Sequence, residues 1–129
     1  MFSTARSGCP INLAVEAVGD QWTLILLRDM IFADRRQFRE FLTGTAERIS
    51  PAVLSDRLKR MHAQGLIRRE DGRVSGQTAR YGLTEKGLAL LPVITALAEF
   101  GLQQCGGDVG LAAAGEGLDL TALRERHGL

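Results

Sequence analysis

The 129-residue sequence contains few of the residues on which secreted proteins and most enzymes depend. It has only two cysteines and two histidines, with no Cys/His spacing suited to zinc and no evident set of Ser, His and acid. The Gly106-Gly107 pair lacks the pattern of a phosphate-binding loop. Two cysteines without a secretion signal indicate reduced thiols rather than a disulfide scaffold. The sequence therefore predicts a protein of the cytoplasm that is not an enzyme and carries no metal or cofactor.

Long apolar runs are also rare in the sequence. Pro92 and Thr95 interrupt the longest apolar candidate, which falls short of the roughly 18 residues of a membrane-spanning helix, so we expect no membrane partner.

The formal net charge of the whole chain is only +1, from 16 basic and 15 acidic residues. The segment from Arg48 to Arg80, however, holds eight basic and three acidic residues, which makes its local charge +5. A local basic surface on a near-neutral protein is typical of a site for nucleic acid.

A helix with a well-defined start is predicted at residues 49–61. Ser50 suits the N-cap, and Pro51 at the first helical position gives up an amide hydrogen that would have no partner. Ile49 can contact Leu54 as a hydrophobic staple, which would set the direction in which the chain enters the helix. The residues at the spacing of one buried face are Leu54, Leu58 and Met61.

The opposite face of this helix has small residues at its front and basic residues at its back, as a DNA recognition helix requires. We predict that base edges are contacted by Ala52, Ser55 and Asp56. Asp56 would accept a hydrogen bond from a cytosine amino group. Phosphate contacts are predicted for Ser50, Arg57, Lys59 and Arg60. The alternative for these residues alone is an ordinary amphipathic helix with a solvated face.

The residues after this helix favour DNA recognition, because they have the pattern of a small β-hairpin. Gly65 suits the left-handed end of the helix, residues 66–70 and 78–83 have strand character, and Asp71-Gly72 suits a turn. Two helices followed by a two-stranded basic hairpin form a winged helix-turn-helix, which is a mainly α fold with a small β-hairpin wing. The wing residues predicted to contact DNA are Arg73, Ser75, Gln77 and Arg80.

Further helices are predicted on both sides of this unit. They are residues 10–18 with Cys9 at the N-cap, residues 22–30, and residues 36–42, whose Phe38 and Phe41 are expected in the core. Thr84 caps a long helix that runs to residue 104, and a glycine-rich stretch then precedes a last helix at 119–127. We assign residues 1–104 to one winged helix-turn-helix domain that includes the long helix, and residues 105–129 to a C-terminal extension.

The long helix at 84–104 is apolar around nearly its whole circumference. Such a helix must be buried on more than one side, and one neighbour in a chain this short cannot cover it. We therefore predict a homodimer whose operator is a pseudo-palindrome with half-sites about 34 to 36 Å apart, or a multiple of that distance. The alternative is a helix packed centrally within a monomer. The predicted interface residues are Leu91, Ile94, Leu97 and Ala98.

The chain resembles the HxlR-type transcriptional regulators, a winged-helix branch related to MarR repressors. The resemblance covers roughly residues 9–104 and implies a dimeric DNA-binding protein of the bacterial or archaeal cytoplasm, at the nucleoid. One departure is Asp20-Gln21, which stands where a basic residue usually precedes the tryptophan. The residues that carry the resemblance are Cys9-Pro10, Gly19, Trp22-Thr23-Leu24-Ile25-Leu26, Arg36-Gln37-Phe38-Arg39-Glu40-Phe41, Ile49-Ser50-Pro51, Leu54, Arg57-Leu58, Gly65-Leu66-Ile67-Arg68-Arg69 and Tyr81-Gly82-Leu83-Thr84-Glu85-Lys86-Gly87.

Cys9 is a candidate redox sensor. A thiol at a helix N-terminus meets the positive end of the helix dipole, which favours the reactive thiolate. Several members of the family resemble this chain in having an N-terminal cysteine that senses oxidants or electrophiles, often by crosslinking subunits. The same Cys-Pro start occurs in members without a redox role, so a capping function is the alternative. Cys105 is either a resolving partner or a bystander.

These features predict a sequence-specific, homodimeric repressor that binds double-stranded DNA, with a response to redox or electrophile stress through Cys9 as a further hypothesis. The effector stays open. The alternative is a winged-helix protein-interaction module, whose basic wing would meet an acidic partner and which would bind no DNA sequence specifically. The presence of a complete helix-turn-helix unit with its own dimer helix argues against that alternative.

Overall fold

Helices make up most of the computed structural model, which describes residues 4–70, 79–108 and 117–129. The predicted class, mainly α with a small antiparallel sheet, is confirmed. In the sheet, Ile67 pairs with Leu83 and Arg69 pairs with Tyr81. The elements in chain order are α1 (Pro10–Val18), α2 (Thr23–Phe32), α3 (Phe38–Gly44), α4 (Pro51–Ala63), β1 (Ile67–Arg69), β2 (Tyr81–Leu83), α5 (Glu85–Leu88), α6 (Leu91–Gln104) and α7 (Leu120–Arg126).

Local capping residues set the helix starts. α1 has the predicted bounds. The Ser50 hydroxyl caps α4 by accepting a hydrogen bond from the Val53 amide at 3.3 Å. α3 begins two residues later than predicted, because the Glu40 carboxylate accepts hydrogen bonds from the amides of Arg36 and Gln37, at 2.8 and 3.0 Å. These bonds keep residues 36 and 37 outside the helix. α2 and α7 differ from the predicted bounds by one or two residues at each end.

The two strands are shorter than the stretches of strand character in the sequence. β1 and β2 contain three residues each, whereas the predicted strands cover residues 66–70 and 78–83. Gly65, between α4 and β1, has φ +76° and so adopts the left-handed conformation predicted for the end of α4. The turn predicted at Asp71-Gly72 lies outside the described residues.

The predicted helix at 84–104 is divided into α5 and α6 by a turn at Ala89 and Leu90. Thr84 caps α5 as predicted, because its hydroxyl accepts a hydrogen bond from the Gly87 amide at 3.1 Å. Pro92 lies in the first turn of α6, where its missing amide hydrogen would have no helical partner. The prediction of one continuous helix is wrong, because proline favours the start of a helix over its continuation.

The α5–α6 segment has the length and composition of a membrane-spanning helix. Glu85–Gln104 covers 20 residues, and a stretch of 18 of them reaches a mean hydropathy of 1.2, which corrects the expectation that no apolar run is long enough. Core helices of proteins outside membranes meet the same criteria. The turn also leaves α6 with only 14 residues. At a rise of 1.5 Å per residue this is about 21 Å, against roughly 30 Å for the hydrocarbon core of a bilayer.

The core joins the helix-turn-helix, the sheet and the C-terminal helix in one packed unit. Phe41 is fully buried and Phe38 packs against the core, which confirms the prediction for both. Leu123 of α7 is also fully buried, so α7 packs on the domain that precedes it. The other most deeply buried apolar side chains are Leu26, Leu27, Met30, Ile31, Leu54, Leu58, Met61, Leu66, Ile67 and Leu83.

Candidate nucleic-acid interface

The turn between α3 and α4 is held in place by residues of α2. The buried carboxylate of Asp29 accepts a hydrogen bond from the Thr45 hydroxyl at 2.7 Å. Arg28 donates two hydrogen bonds to Glu47, both at 2.8 Å, and these bonds hold the pKa of Glu47 below its usual value. Because both contacts end in the turn, the orientation of α4 relative to the core is fixed. No sequence pattern indicates this role for Arg28 and Asp29, because their partners lie 19 and 16 residues away along the chain.

α4 presents a polar face to solvent, opposite its core face. Ala52, Asp56 and Lys59 are exposed, and Ser55 is half-buried beside them. Spacings of four and three residues place the first three on one face of the helix. The capping residue Ser50 is exposed at the start of this face. The structure thus brings together the three predicted base-contacting residues and two of the residues predicted to contact phosphates.

Two arginines of α4 are already engaged with other parts of the chain. Nε of Arg57 lies 3.8 Å from Oδ1 of Asp20, and the side chain is only 24% exposed. Arg60 donates a hydrogen bond to the carbonyl of Glu16 at 3.0 Å but stays exposed. Arg57, predicted to contact a phosphate, therefore lies on the flank of α4 and links it to the start of α2.

Asp20, which departs from the family pattern, has a structural role at the start of α2. Its carboxylate accepts hydrogen bonds from the amides of Trp22 and Thr23, at 2.8 and 2.9 Å, and so caps α2. Burial raises the pKa of Asp20, but the bonds from Thr23 and Trp22 outweigh this effect, and the pKa is lowered overall. A basic residue at this position would lose both the cap and the ion pair with Arg57.

The base of the wing is held by a carboxylate that binds several arginines. Glu70 accepts hydrogen bonds from Arg36 at 2.7 Å and from Arg68 at 2.8 Å. Nε of Arg80 lies 3.7 Å from the same carboxylate. Arg80 remains exposed and is the one predicted wing contact among the described residues. The other wing residues predicted to contact DNA, Arg73, Ser75 and Gln77, lie outside them.

α6 carries an exposed apolar stripe formed by Val93, Leu97 and Phe100, which are 41%, 49% and 60% exposed. Their spacing of four and three residues places them on one side of the helix. Ile94, in contrast, is 8% exposed and packs in the core of its own chain, so its assignment to a subunit interface is corrected. Among the other residues predicted at the interface, Ala98 is exposed and Leu91 is half-buried.

Cys9 is exposed at the N-cap of α1, as predicted. Its thiol makes no capping hydrogen bond, yet the backbone amides of Asn12 and Ile11 lower its pKa. The thiol is therefore both accessible and more readily ionised than an ordinary cysteine. Cys105 is exposed at the end of α6.

Known proteins share the sequence and fold of the region from α2 to α6. A family model described as HxlR-like helix-turn-helix matches residues 17–108. The HTH-type transcriptional regulator YybR of Bacillus subtilis is 31% identical over 100 residues, which are 74% of this chain and 75% of that protein. The redox regulator HypR, in its reduced form, gives a TM-score of 0.63 at 28% identity, over 74% of this chain and 93% of that chain. A MarR-family transcriptional regulator from Enterococcus faecalis gives a TM-score of 0.60 at 29% identity, over 81% of this chain and 93% of that chain.

Proposed function

The chain belongs to the HxlR-like helix-turn-helix family of transcriptional regulators, and on this premise we propose that it is a homodimeric repressor that binds a pseudo-palindromic DNA operator. Members of this family are regulators and not enzymes. The observation that carries the proposal is the exposed polar face of α4, which the α2 contacts hold in one orientation. We place the protein in the cytoplasm at the nucleoid, where a dimer that covers an operator excludes other proteins from it.

The charges of α4 and the wing support binding to duplex DNA. Small residues near the start of α4 allow its first turns to approach base edges, and Lys59 two turns later is placed for a phosphate. Arg80 adds an exposed cation at the base of the wing. In this arrangement Asp56 accepts a hydrogen bond from a cytosine amino group, while Lys59 contributes affinity for any sequence.

The apolar stripe on α6 supports a dimer. Val93, Leu97 and Phe100 would leave a contiguous apolar row in water if the chain stayed monomeric. Their exposure also argues against the alternative in which α6 packs centrally within one chain. A twofold axis through this stripe relates two recognition helices, so half-sites about 34 to 36 Å apart, or a multiple of that distance, are expected.

Lys59→Ala is expected to weaken binding to all DNA sequences about equally and to reduce the salt dependence by about one unit of slope for the lost phosphate contact. Affinities for the duplex enriched from random pools and for unrelated DNA, measured over a range of salt, test this. Lys86→Ala is the matched control. Its ammonium already donates a hydrogen bond to the carbonyl of Gln64 at 2.7 Å, so the salt slope should not change.

Asp56→Ala is the contrasting variant, because a base contact carries sequence information that a phosphate contact does not. It should relax the choice at one base pair by roughly 1 to 3 kcal/mol and leave binding to unrelated DNA nearly unchanged. Equal losses on the enriched duplex and on unrelated DNA would refute base reading by Asp56. Failure of the unaltered protein to enrich any duplex would favour the protein-interaction module.

We further propose that Cys9 makes DNA binding sensitive to oxidants. Its support is the exposed thiol with a lowered pKa and the similarity to HypR, which is described as a redox regulator. In the simplest reaction, peroxide takes two electrons from the two Cys9 thiols of a dimer. One disulfide and two water molecules result. Such a crosslink would act on α1, whose last turn is bonded to α4 through Arg60.

Oxidation of the unaltered protein is expected to reduce operator affinity by roughly 5- to 150-fold, the usual range for coupling between two sites. Cys9→Ser should bind DNA normally with or without peroxide, because a hydroxyl can cap α1 without forming a thiolate. Cys105→Ser, the matched control, should keep the response. An affinity of the unaltered protein that peroxide does not change would leave Cys9 with a capping role only.

A further inference from the structure

The C-terminal helix α7 lies beyond the region that matches the family, yet it packs on the DNA-binding unit. The family model ends at residue 108, whereas α7 covers Leu120–Arg126. Leu123 of α7 is fully buried in the common core, and His127, directly after the helix, is also fully buried. The burial of both residues shows that this segment is an integral part of the fold.

His127 binds the free edge of the sheet. β2 pairs with β1 on one side only, so amides on its other side need partners from elsewhere. The Tyr81 amide donates to the carbonyl of Arg36 at 2.7 Å, and the Leu83 amide donates to Nδ1 of His127 at 2.9 Å. Residue 127 therefore takes the place that a third strand would occupy beside Leu83.

Arginines of the helix-turn-helix and of the wing bind the main chain at the end of α7. Arg36, buried just before α3, donates to the carbonyl of Arg126 at 3.0 Å and to the carbonyl of Tyr81 at 2.7 Å. Arg68 of β1 donates to the carbonyl of His127. Because Arg36 and Arg68 also share the Glu70 carboxylate, one polar network joins α3, both strands and α7.

We propose that α7 is a clasp that holds the wing strands β1 and β2 against the helix-turn-helix, with His127 as the positioning residue, so that these two strands are ordered before DNA binds. The inference rests on the proposed DNA binding. Two strands of three residues have too few hydrogen bonds to be stable without a covering element. Ordering these strands in advance removes an entropy cost from the binding step, so loss of the clasp should lower DNA affinity without affecting the dimer.

The test compares His127→Leu with Thr121→Ala in the full chain. Leucine fills much of the same volume but cannot accept the Leu83 hydrogen bond, whereas Thr121 is exposed on the same helix. In His127→Leu the Leu83 amide should exchange its hydrogen at least about tenfold faster, and affinity for the enriched duplex should fall about tenfold. Thr121→Ala should change neither, and sedimentation should show the same dimer for both variants.

Two further variants keep the test decisive if His127→Leu does not fold. His127→Asn retains an acceptor oxygen and should restore most of the amide protection and DNA affinity. Arg124→Glu places two like charges where Arg124 and Glu85 now form an ion pair, and should produce a smaller loss of both.

Each outcome bears on the clasp or on the proposed function separately. Unchanged exchange at Leu83 in His127→Leu would overturn the clasp itself. Faster exchange with unchanged DNA affinity would overturn its role in positioning the wing. If the unaltered chain enriches no duplex, the proposed function and the role in DNA binding both fail, while the exchange rates still decide whether α7 holds the sheet.

Discussion

Leu97→Asp is expected to convert the dimer into a folded monomer and to raise the dimer dissociation constant by at least about 100-fold. An unpaired carboxylate in a subunit interface costs several kcal/mol, and each 1.4 kcal/mol corresponds to about a factor of ten. The monomer should stay folded, because Leu97 is 49% exposed in its own chain. Sedimentation equilibrium gives the association state, and circular dichroism checks the fold.

Thr95→Asp is the matched control for this substitution, since it places the same charge on the exposed side of α6 away from the stripe. It should leave the dimer intact. The monomeric Leu97→Asp variant should also lose the preference for two correctly spaced half-sites, because it carries only one recognition helix. A monomer in the unaltered protein at micromolar concentration would refute the proposed interface.

Acidification is expected to destabilise the fold through His127, by about 3 kcal/mol between pH 6.5 and pH 4. Burial, with Arg36 next in importance, lowers the pKa of His127 from 6.5 to about 4, and each pKa unit corresponds to about 1.4 kcal/mol. The cations Arg36, Arg68 and Arg126 and the carboxylates of Asp34 and Glu70 surround the imidazole. To become positively charged, His127 would have to bind a second proton at Nδ1. This nitrogen already accepts the hydrogen bond from the Leu83 amide.

The sign of this effect follows from where the proton binds. Above pH 6.5 both the folded and the unfolded chains hold a neutral His127, so its contribution to stability is fully present. As the pH falls from 6.5 toward 4, the unfolded chain binds a proton that the folded chain excludes, and the free energy of unfolding decreases. Below about pH 4 no further loss arises from this residue.

Denaturant titrations of the full chain at several pH values measure this dependence. His127→Asn removes the titrating group but keeps an acceptor for Leu83, so its stability should fall by about 3 kcal/mol less across the same range. His62→Asn replaces the other histidine, which is exposed on α4, and should follow the profile of the unaltered chain. A His127→Asn profile as steep as that of the unaltered chain would rule out His127 as the source.

Features that depend on neighbouring residues were predictable from the sequence. The caps at Ser50 and Thr84, the bounds of α1 and the buried face of α4 all rest on residues within one or two helical turns of each other. The division between α5 and α6 is an exception, because the apolar pattern predicts one helix although the cause of the division, Pro92, is local. Apolar residues continue through both helices, and only Pro92 indicates that a second helix begins there.

Features that depend on distant partners were not predictable. Nothing near Ile94 in the sequence distinguishes it from Leu97, yet one packs in the core and the other is exposed. Arg57 has the pattern of a phosphate contact, but it forms an ion pair with Asp20, which lies in the loop before α2. The packing of the helices against each other decides whether such a side chain is buried, paired or exposed. The sequence pattern within one helix does not decide it.

The order of the elements, the polar face of α4 and the placement of Cys9 at a helix start were determined by the sequence alone, because capping and helical periodicity act over a few residues. Only the tertiary structure decided which apolar residues of α6 remain exposed and how the C-terminal helix contacts the two strands. Leu83 and His127 are 44 residues apart, and their hydrogen bond exists only because the core brings the edge of the sheet and the end of α7 together.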